Sequence, residues 1–292
     1  MASNKINVFK RKVANLFSSK FTKRIRARFD AFYRTPKVRS TLTRKLNCTD
    51  SLEVWQNSPY WQFQLNNKHN SHEFAKMYNC KVPELYWEGR DIQNINFDLL
   101  PESYVIKPNL GYSSKMVFLM QGSRNLFDNK NYSKNEIIEE LSNTVAKNPE
   151  AEFIIEEFVI NEKGDQVIPV DYKFYAFNGE IACIQVFYRT GRLNEETSII
   201  FYDENWNKIP RGHKKYEEAE TSLPPACLDE MIEAAKKLSK AYEIFVRIDF
   251  YATKDGAVFG EFSPTPFRGN AFTSFGNKLL IKYWDKYCKG MI

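Results

Sequence analysis

Apolar residues recur at three- and four-residue steps near the N-terminus: Phe9, Val13, Leu16, Phe17, Phe21, Ile25, Phe29 and Phe32, with Lys and Arg between them. This spacing predicts an apolar stripe along one side of a helix, or along two shorter helices if Ser18-Ser19 interrupts it. Pro36 and the Ser/Thr-rich stretch Ser40–Thr43 end the arm. A short helix is predicted over Ser71–Tyr78, closed by Cys80-Lys81-Val82-Pro83. Ser103–Lys107 and Met116–Met120 read as strands around a loop, 108–115. Ser133 and Glu136 form a capping box, after which Ile137, Leu141 and Val145 continue on one helical face. Phe153–Val159 is a mostly apolar strand. Val170–Phe177 and Glu180–Tyr188 flank Asn178-Gly179, a strong hairpin signal. Thr197–Tyr202 adds a strand, and Leu228–Tyr242 a helix with Leu228, Met231, Ile232, Ala235 and Leu238 inward. Phe245–Tyr251 and Ala257–Phe262 form a last hairpin around Lys254-Asp255-Gly256. With strands dominating the middle and no internal repeat, the class is α+β with antiparallel sheets.

Composition narrows the function classes. The 292 residues are 43% hydrophobic, 15% aromatic and 27% charged, which excludes disordered, collagen-like and disulfide-miniprotein classes. Unbroken apolar runs are only a few residues long, too short to span a bilayer. The five cysteines are scattered without a C-x-x-C pair and read as reduced, cytosolic thiols. His69 and His72 form an H-x-x-H without a third ligand nearby, which argues against zinc. Charge is uneven: residues 5–45 carry 14 Lys/Arg against Asp30 alone, for +13, whereas the rest carries 28 basic and 35 acidic residues, for −7. A basic, Phe-rich amphipathic arm suits an anionic membrane surface through residues 5–33. The same pattern suits a helix docked on the body with its charges solvated, and an organellar transit peptide stays open. So many regularly placed Phe are not needed to grip phosphates, so no nucleic acid is expected.

Three constellations carry candidate chemistry. Asp249 lies six residues before Asp255 and Glu261 six after, so a turn centred on Asp255 opposes the two acids across the hairpin. Period two puts Arg247, Asp249 and Tyr251 on one face, with Glu261 and Ser263 sharing it. Opposed like charges lead one to expect a compensating cation: Mg²⁺ shared with phosphate oxygens, or Arg247 acting as a structural neutraliser; a slip of register would instead keep the acids apart. A second constellation runs from Tyr104 to Lys115, where a strand delivers Lys107 into a loop with Gly111, Ser113 and Ser114, groups able to surround phosphates. An ordinary hairpin loop fits the same residues. The third, Ile154–Val159, places Glu156 and Glu157 inside an apolar strand, where a buried carboxylate needs donors. Asp171, Lys173 and Tyr175 alternate onto one face of the following strand.

In order, these motifs resemble the ATP-grasp superfamily, and most closely its branch associated with teichuronopeptide and surface-polysaccharide biosynthesis. The carriers are VIKPNLGYSS, IIEEFV, DYKFYAFNGE, FYDENWNKIP and FVRIDFYATKDGAVFGEFSPTPFRG, within Asn66–Phe272. The resemblance implies two α+β subdomains gripping ATP between antiparallel sheets. The expected organisation is a basic helical arm (1–45), a shortened preceding segment (46–102), a small subdomain (103–160) and a large one (161–292). It implies Lys107 on the nucleotide phosphates, Gly111–Ser114 as a covering loop, and Lys68 as an earlier phosphate lysine. Glu156 matches the adenine amino partner, with Glu157, Phe158 and Val159 around the hinge and Asp171 on the ribose. Asp249, Glu261 and Ser263 match Mg²⁺ ligands, Ser263 replacing the more usual Asn. Lys173, Arg189 and Arg268 occupy catalytic or acceptor positions, and Arg192 is a further candidate. A two-residue Asn178-Gly179 turn, however, turns Arg189 away from Lys173 unless a bulge intervenes. The implied activity is an ATP- and Mg²⁺-dependent carboxylate–amine ligase acting on a uronate-like acceptor and an amine. A small-molecule kinase and a non-catalytic nucleotide-binding module are the alternatives.

Overall fold

The computed structural model describes residues 18–34, 40–111, 116–191, 193 and 195–288. Helix α1 (Lys20–Arg34) is followed by α2 (Leu52–Gln56) and α3 (Lys68–Met77). Asn67 caps α3 by accepting from the Asn70 N–H, which starts the helix three residues before Ser71 and places Lys68 on its first turn.

The first sheet comprises β1 (Leu85–Gly89), β2 (Ser103–Pro108), β3 (Phe118–Gln121), β4 (Arg124–Asn125), β5 (Lys130–Asn131) and β6 (Phe153–Glu157). Its order is β1-β6-β2-β3-β4-β5, with every pair antiparallel. The sheet thus takes in β1, ahead of the subdomain start expected at 103. Helix α4 (Lys134–Lys147) opens on the predicted Ser133–Glu136 capping box and buries Ile137 and Leu141 against Tyr104, Ile106, Phe153 and Ile155. Strand alternation leaves Val105, Lys107, Ile154 and Glu156 on the opposite face.

The second sheet comprises β7 (Asp171–Phe177), β8 (Glu180–Arg189), β9 (Thr197–Tyr202), β10 (Glu217–Glu218), β11 (Phe245–Thr253) and β12 (Gly256–Ser263). The order is β10-β9-β8-β7-β11-β12, and the short β9–β10 pairing is parallel, a departure from the all-antiparallel expectation. One face packs Phe174, Ile184, Val186, Ile248 and Phe250 against α5 (Leu228–Tyr242) and the Trp55–Phe74 region. The other face is covered at one end by α1 and α6 (Ser274–Tyr287), through Phe21, Ile25, Leu280 and Trp284. At its other end the same face is polar: Asp171, Lys173, Arg247, Asp249 and Glu261.

Phe21, Ile25 and Phe32 are fully buried, so this part of the arm turns its stripe toward protein, not lipid. Phe9, Val13, Leu16 and Phe17 lie outside the described residues. No helix among the described residues is long and apolar enough to cross a membrane.

Two bulges decide which side chains share the polar face. In β7–β8 the register runs Ala176↔Ile181 and then Tyr175↔Cys183, so Ala182 is extra and every later β8 residue changes face. In β11–β12 the turn is two residues long, with Thr253 opposite Gly256, which taken alone pairs Asp249 with Gly260. The register steps after Phe250↔Phe259, leaving Gly260 extra and setting Asp249 opposite Glu261. Glycine relieves crowding there, because a Cβ would stand 3.0 Å from the Tyr251 ring and 3.2 Å from the Asp249 carbonyl, so that these neighbours would have to give. Gly260→Val is expected to lower the unfolding free energy by about 1–3 kcal/mol. Urea unfolding measures this, and an unchanged midpoint contradicts the account of the bulge.

Candidate functional site

Asp249 is almost fully buried and is held by two cations. Arg247, two residues earlier on the same strand face, reaches it with Nε to Oδ1 and Nη2 to Oδ2, both at 2.7 Å. Lys173, opposite Asp249 on β7, places Nζ 2.5 Å from Oδ2 and 3.2 Å from Asp171 Oδ2. Arg247 Nη2 also lies 3.3 Å from Glu261 and donates to Ser263 Oγ at 2.8 Å. Arginine is therefore neutraliser and organiser of the pair at once. Burial opposes the Arg247 charge, but Asp249, Tyr175 and Glu261 together outweigh it and raise the Arg247 pKa. Burial pushes Glu261 up, yet Lys68, Arg247, Lys173 and Lys107 together hold it below the ordinary carboxylate value. Asp171 follows the same balance, with Lys173 and Arg189 outweighing its burial.

The first sheet and α3 bring the opposing groups. Lys107 forms an ion pair with Glu156 Oε1, whereas the buried Glu156 Oε2 has no hydrogen-bond partner among the described residues. Lys68 is 8% exposed, and no carboxylate among the described residues lies within 4.0 Å of its ammonium. Burial lowers the Lys68 pKa, and Glu261 resists that shift while Lys107 adds to it. One helical turn on, His72 Nε2 sits 3.4 Å from the Gly260 carbonyl, so α3 docks directly on the bulge. Tyr251 stands among the acids of both sheets: burial and then Asp171, Glu261, Asp249 and Glu156 raise its pKa well above the ordinary value. Period two had put Tyr251 on this face but gave it no role.

The other expected residues divide. Phe158 is buried with Leu119 and Phe127, with Val105 and Ile168 alongside, an apolar wall next to Glu156; Val159 is buried too. Glu157 points to the opposite side of β6 from Glu156 and accepts from the Glu84 N–H at 3.1 Å, so strand alternation separates it from the site. The Ala182 bulge supplies the condition set for Arg189, whose Nη2 is 3.5 Å from Asp171 Oδ2 and whose guanidinium lies 5.3 Å over Phe187. Beside it opens a cleft of about 340 Å³, lined by Ile168, Val170, Tyr188, Thr197 and Glu217 among others. Gly111 is exposed at the end of β2, while Ser113, Ser114 and Arg192 lie outside the described residues. Among the described residues no cluster of three or more His, Cys, Asp or Glu could hold a metal.

Asn109 had no signal beyond following Lys107-Pro108, yet it ties the two parts together. Its carbonyl accepts from the Lys68 N–H at 3.1 Å and its Oδ1 from the His69 N–H at 3.1 Å. Its Nδ2 donates to Glu88 at 3.0 Å, and Glu88 also pairs with His69 at 2.9 Å and Lys45 at 2.8 Å.

Arg268 lies across the turn that follows the acids, 4.6 Å over the Phe29 ring of α1. Phe267 and Arg268 are both left-handed, with φ 51° and 50°, a conformation costing about 1–2 kcal/mol per residue. Helix α1 holds this turn. Thr22 donates to the Gly269 carbonyl at 2.7 Å and Arg26 to Asn270 at 2.8 Å. Arg28, fully buried, donates to the carbonyls of Phe245 at 2.5 Å and Pro264 at 3.3 Å, next to Ser263. Its burial draws the guanidinium pKa down to about 10.

Residues 44–282 match the TupA-like ATPgrasp family, well over half of the chain, and the protein belongs to that family. Among solved structures, the D-alanine–D-alanine ligase of Bacillus anthracis is similar at 19% identity and TM-score 0.50, covering 76% of this chain and 67% of its own. Its complex with ATP matches at 18% and 0.48, covering 76% and 65%. The ATP-grasp ligase PsnB with a minimal precursor matches at 15% and 0.44, covering 78% and 64%. The chain thus spans about two thirds of the length of these structures or slightly less, and at such identities the likeness is one of fold. No curated protein matches.

The hydrogen bond to Glu88 raises the His69 pKa above its ordinary 6.5. A raised folded-state pKa contributes stability that is complete below 6.5 and is lost as pH rises through the raised value. His72 and His213, pushed down by burial, are neutral in that window and add no slope. Thermal midpoints should therefore fall as pH rises above 6.5 by more in the wild type than in His69→Gln; parallel profiles contradict the His69–Glu88 assignment.

Proposed function

We propose that the protein is an ATP- and Mg²⁺-dependent carboxylate–amine ligase. The observation that carries this reading is a pair of buried groups near Glu261 whose bonding capacity is unmet among the described residues: the Lys68 ammonium, with no carboxylate within 4.0 Å, and Glu156 Oε2. Buried hydrogen-bonding capacity left unmet destabilises the folded protein by about 1–3 kcal/mol per group, and a ligand with a phosphate tail and an exocyclic amino group would satisfy both at once. Glu156 Oε2 would accept from the adenine amino group against the wall of Phe158 and Val159, and Asp171 would take the ribose. Lys68 and Lys107 would meet the phosphates, with Gly111–Ser114 covering them.

The donor set fits a hard divalent cation. Glu261 contributes an open oxygen, its side chain being 40% exposed, and Ser263 Oγ is adjacent. Asp249 Oδ2 already carries Lys173 and Arg247, so metal entry requires Lys173 to leave for the phosphates, where its charge serves the reaction. Asp249, Glu261 and Ser263 would hold Mg²⁺, which when bound would supply positive charge to offset that of the phosphates. The acceptor carboxylate attacks the γ-phosphorus as the bond to ADP breaks, giving an acylphosphate. The amine then adds to that carbonyl, phosphate leaves, and an amide remains. Lys173 and Arg189 stabilise the transferring group, and Arg268 orients the acceptor carboxylate; no side-chain nucleophile is needed. Membership of the family and this concentration of cations favour an acidic acceptor, a uronic acid of a surface polysaccharide, worked on beside an anionic membrane surface.

The test is product analysis with Mg-ATP, glucuronate and glutamate or simple amines: ADP and phosphate in equal amounts with an amide seen by mass. Asp249→Asn and Glu261→Gln should each lower turnover at least about 100-fold. A stable phosphorylated product would convert the reading to a kinase. An unchanged rate in either variant would remove the metal assignment.

A further inference from the structure

Helices α1 and α6 pack against each other over one end of the second sheet. Ser19 meets Asn277, Arg24 pairs with Asp285 at 2.6 Å, and Arg28 lies 4.6 Å from the Trp284 ring centre. Their inner sides are committed to the core through Phe21, Ile25, Leu280 and Trp284. Their outer sides are basic. Lys20 and Lys23 on α1 are exposed, as are Lys278, Lys282 and Lys286 at four-residue steps along α6. Asp30 and Asp285 are the only acids in the two helical sequences, and Arg24 already neutralises Asp285. None of the large exposed apolar side chains among the described residues lies on either helix.

We infer that this outer face of α1 and α6 is the surface that meets an anionic lipid bilayer, and that it adsorbs through lysine rather than inserting phenylalanine. The inference rests on the membrane setting proposed above and adds which part of the molecule makes the contact. The exposed lysines of two helices packed side by side make a broad cationic surface, which matches a sheet of anionic headgroups; a nucleic-acid duplex asks for an element that enters a groove or follows its curve. The chain that leads into α1 extends the same chemistry, since residues 1–17 hold Lys5, Lys10, Arg11 and Lys12 with no acid. Helix α1 also carries the turn with Arg268 on its flank, so adsorption brings the proposed acceptor side to the membrane border.

The experiment is co-sedimentation of the full chain with phosphatidylcholine vesicles, with and without about 30% phosphatidylglycerol. The wild type should bind the anionic vesicles at about 0.05 M salt, lose them at about 0.5 M, and ignore neutral ones. The triple variant Lys278→Gln, Lys282→Gln, Lys286→Gln should bind at least about tenfold more weakly while keeping its thermal midpoint and any Mg-ATP turnover in solution. Equal binding by the variant overturns the surface but not the membrane setting. A wild type that ignores the vesicles, or that binds duplex RNA in their place, overturns both and leaves the ligase reading intact.

Discussion

Two carboxylates facing each other across neighbouring strands repel by about 3 kcal/mol at 5 Å with an effective dielectric of 20, and more where water is excluded. Asp249 and Glu261 are held in that arrangement. Much of the polar face follows from it. Arg247 grips Asp249 with two hydrogen bonds and reaches Glu261 and Ser263 from the same guanidinium. Lys173 joins from β7, and Lys68 comes close enough to lower the Glu261 pKa. Cations from three strands and a helix therefore converge on one pair of acids. That pair is the point at which the two sheets are joined electrostatically.

The N-terminal helix extends this organisation beyond the region shared with the family, which begins at residue 44. Arg28 is buried with no carboxylate of the described residues within 4.0 Å, a placement that burial alone disfavours. Hydrogen bonds from Nη1 to the Phe245 and Pro264 carbonyls and its position over Trp284 compensate in part, while Nε and Nη2 are buried with no partner among the described residues. Those two carbonyls lie at the open ends of β11 and β12, so α1 clamps the hairpin that carries the acids. It also fixes the left-handed turn at Phe267 and Arg268, strain that persists only where the surroundings dictate it.

Much of the fold was legible because its signals are local. The Asn178-Gly179 hairpin, the Ser133 capping box and the Leu228–Tyr242 helix follow from turn chemistry, capping and period. Register was harder, because a bulge depends on what packs over it. The opposition of Asp249 and Glu261 was expected from a turn centred on Asp255, but it arises from a two-residue turn corrected by Gly260 beneath His72. Arg189 shows the same lesson in reverse: spacing put it on the far face, and Ala182 returns it beside Asp171. Glu157 differs from Glu156 by strand parity alone. Arg28 was invisible, since the pattern that marks a solvated cation also marks a buried one whose partners are carbonyls far along the chain.

Diffraction from crystals soaked with Mn²⁺ and a non-hydrolysable ATP analogue tests the central arrangement most directly. The account predicts one anomalous peak about 2.1 Å from oxygens of both Asp249 and Glu261, with the Lys173 ammonium displaced from Asp249 toward the phosphates. A nucleotide bound with its metal away from that pair, or with Lys173 and Arg247 still closed on Asp249, would contradict it.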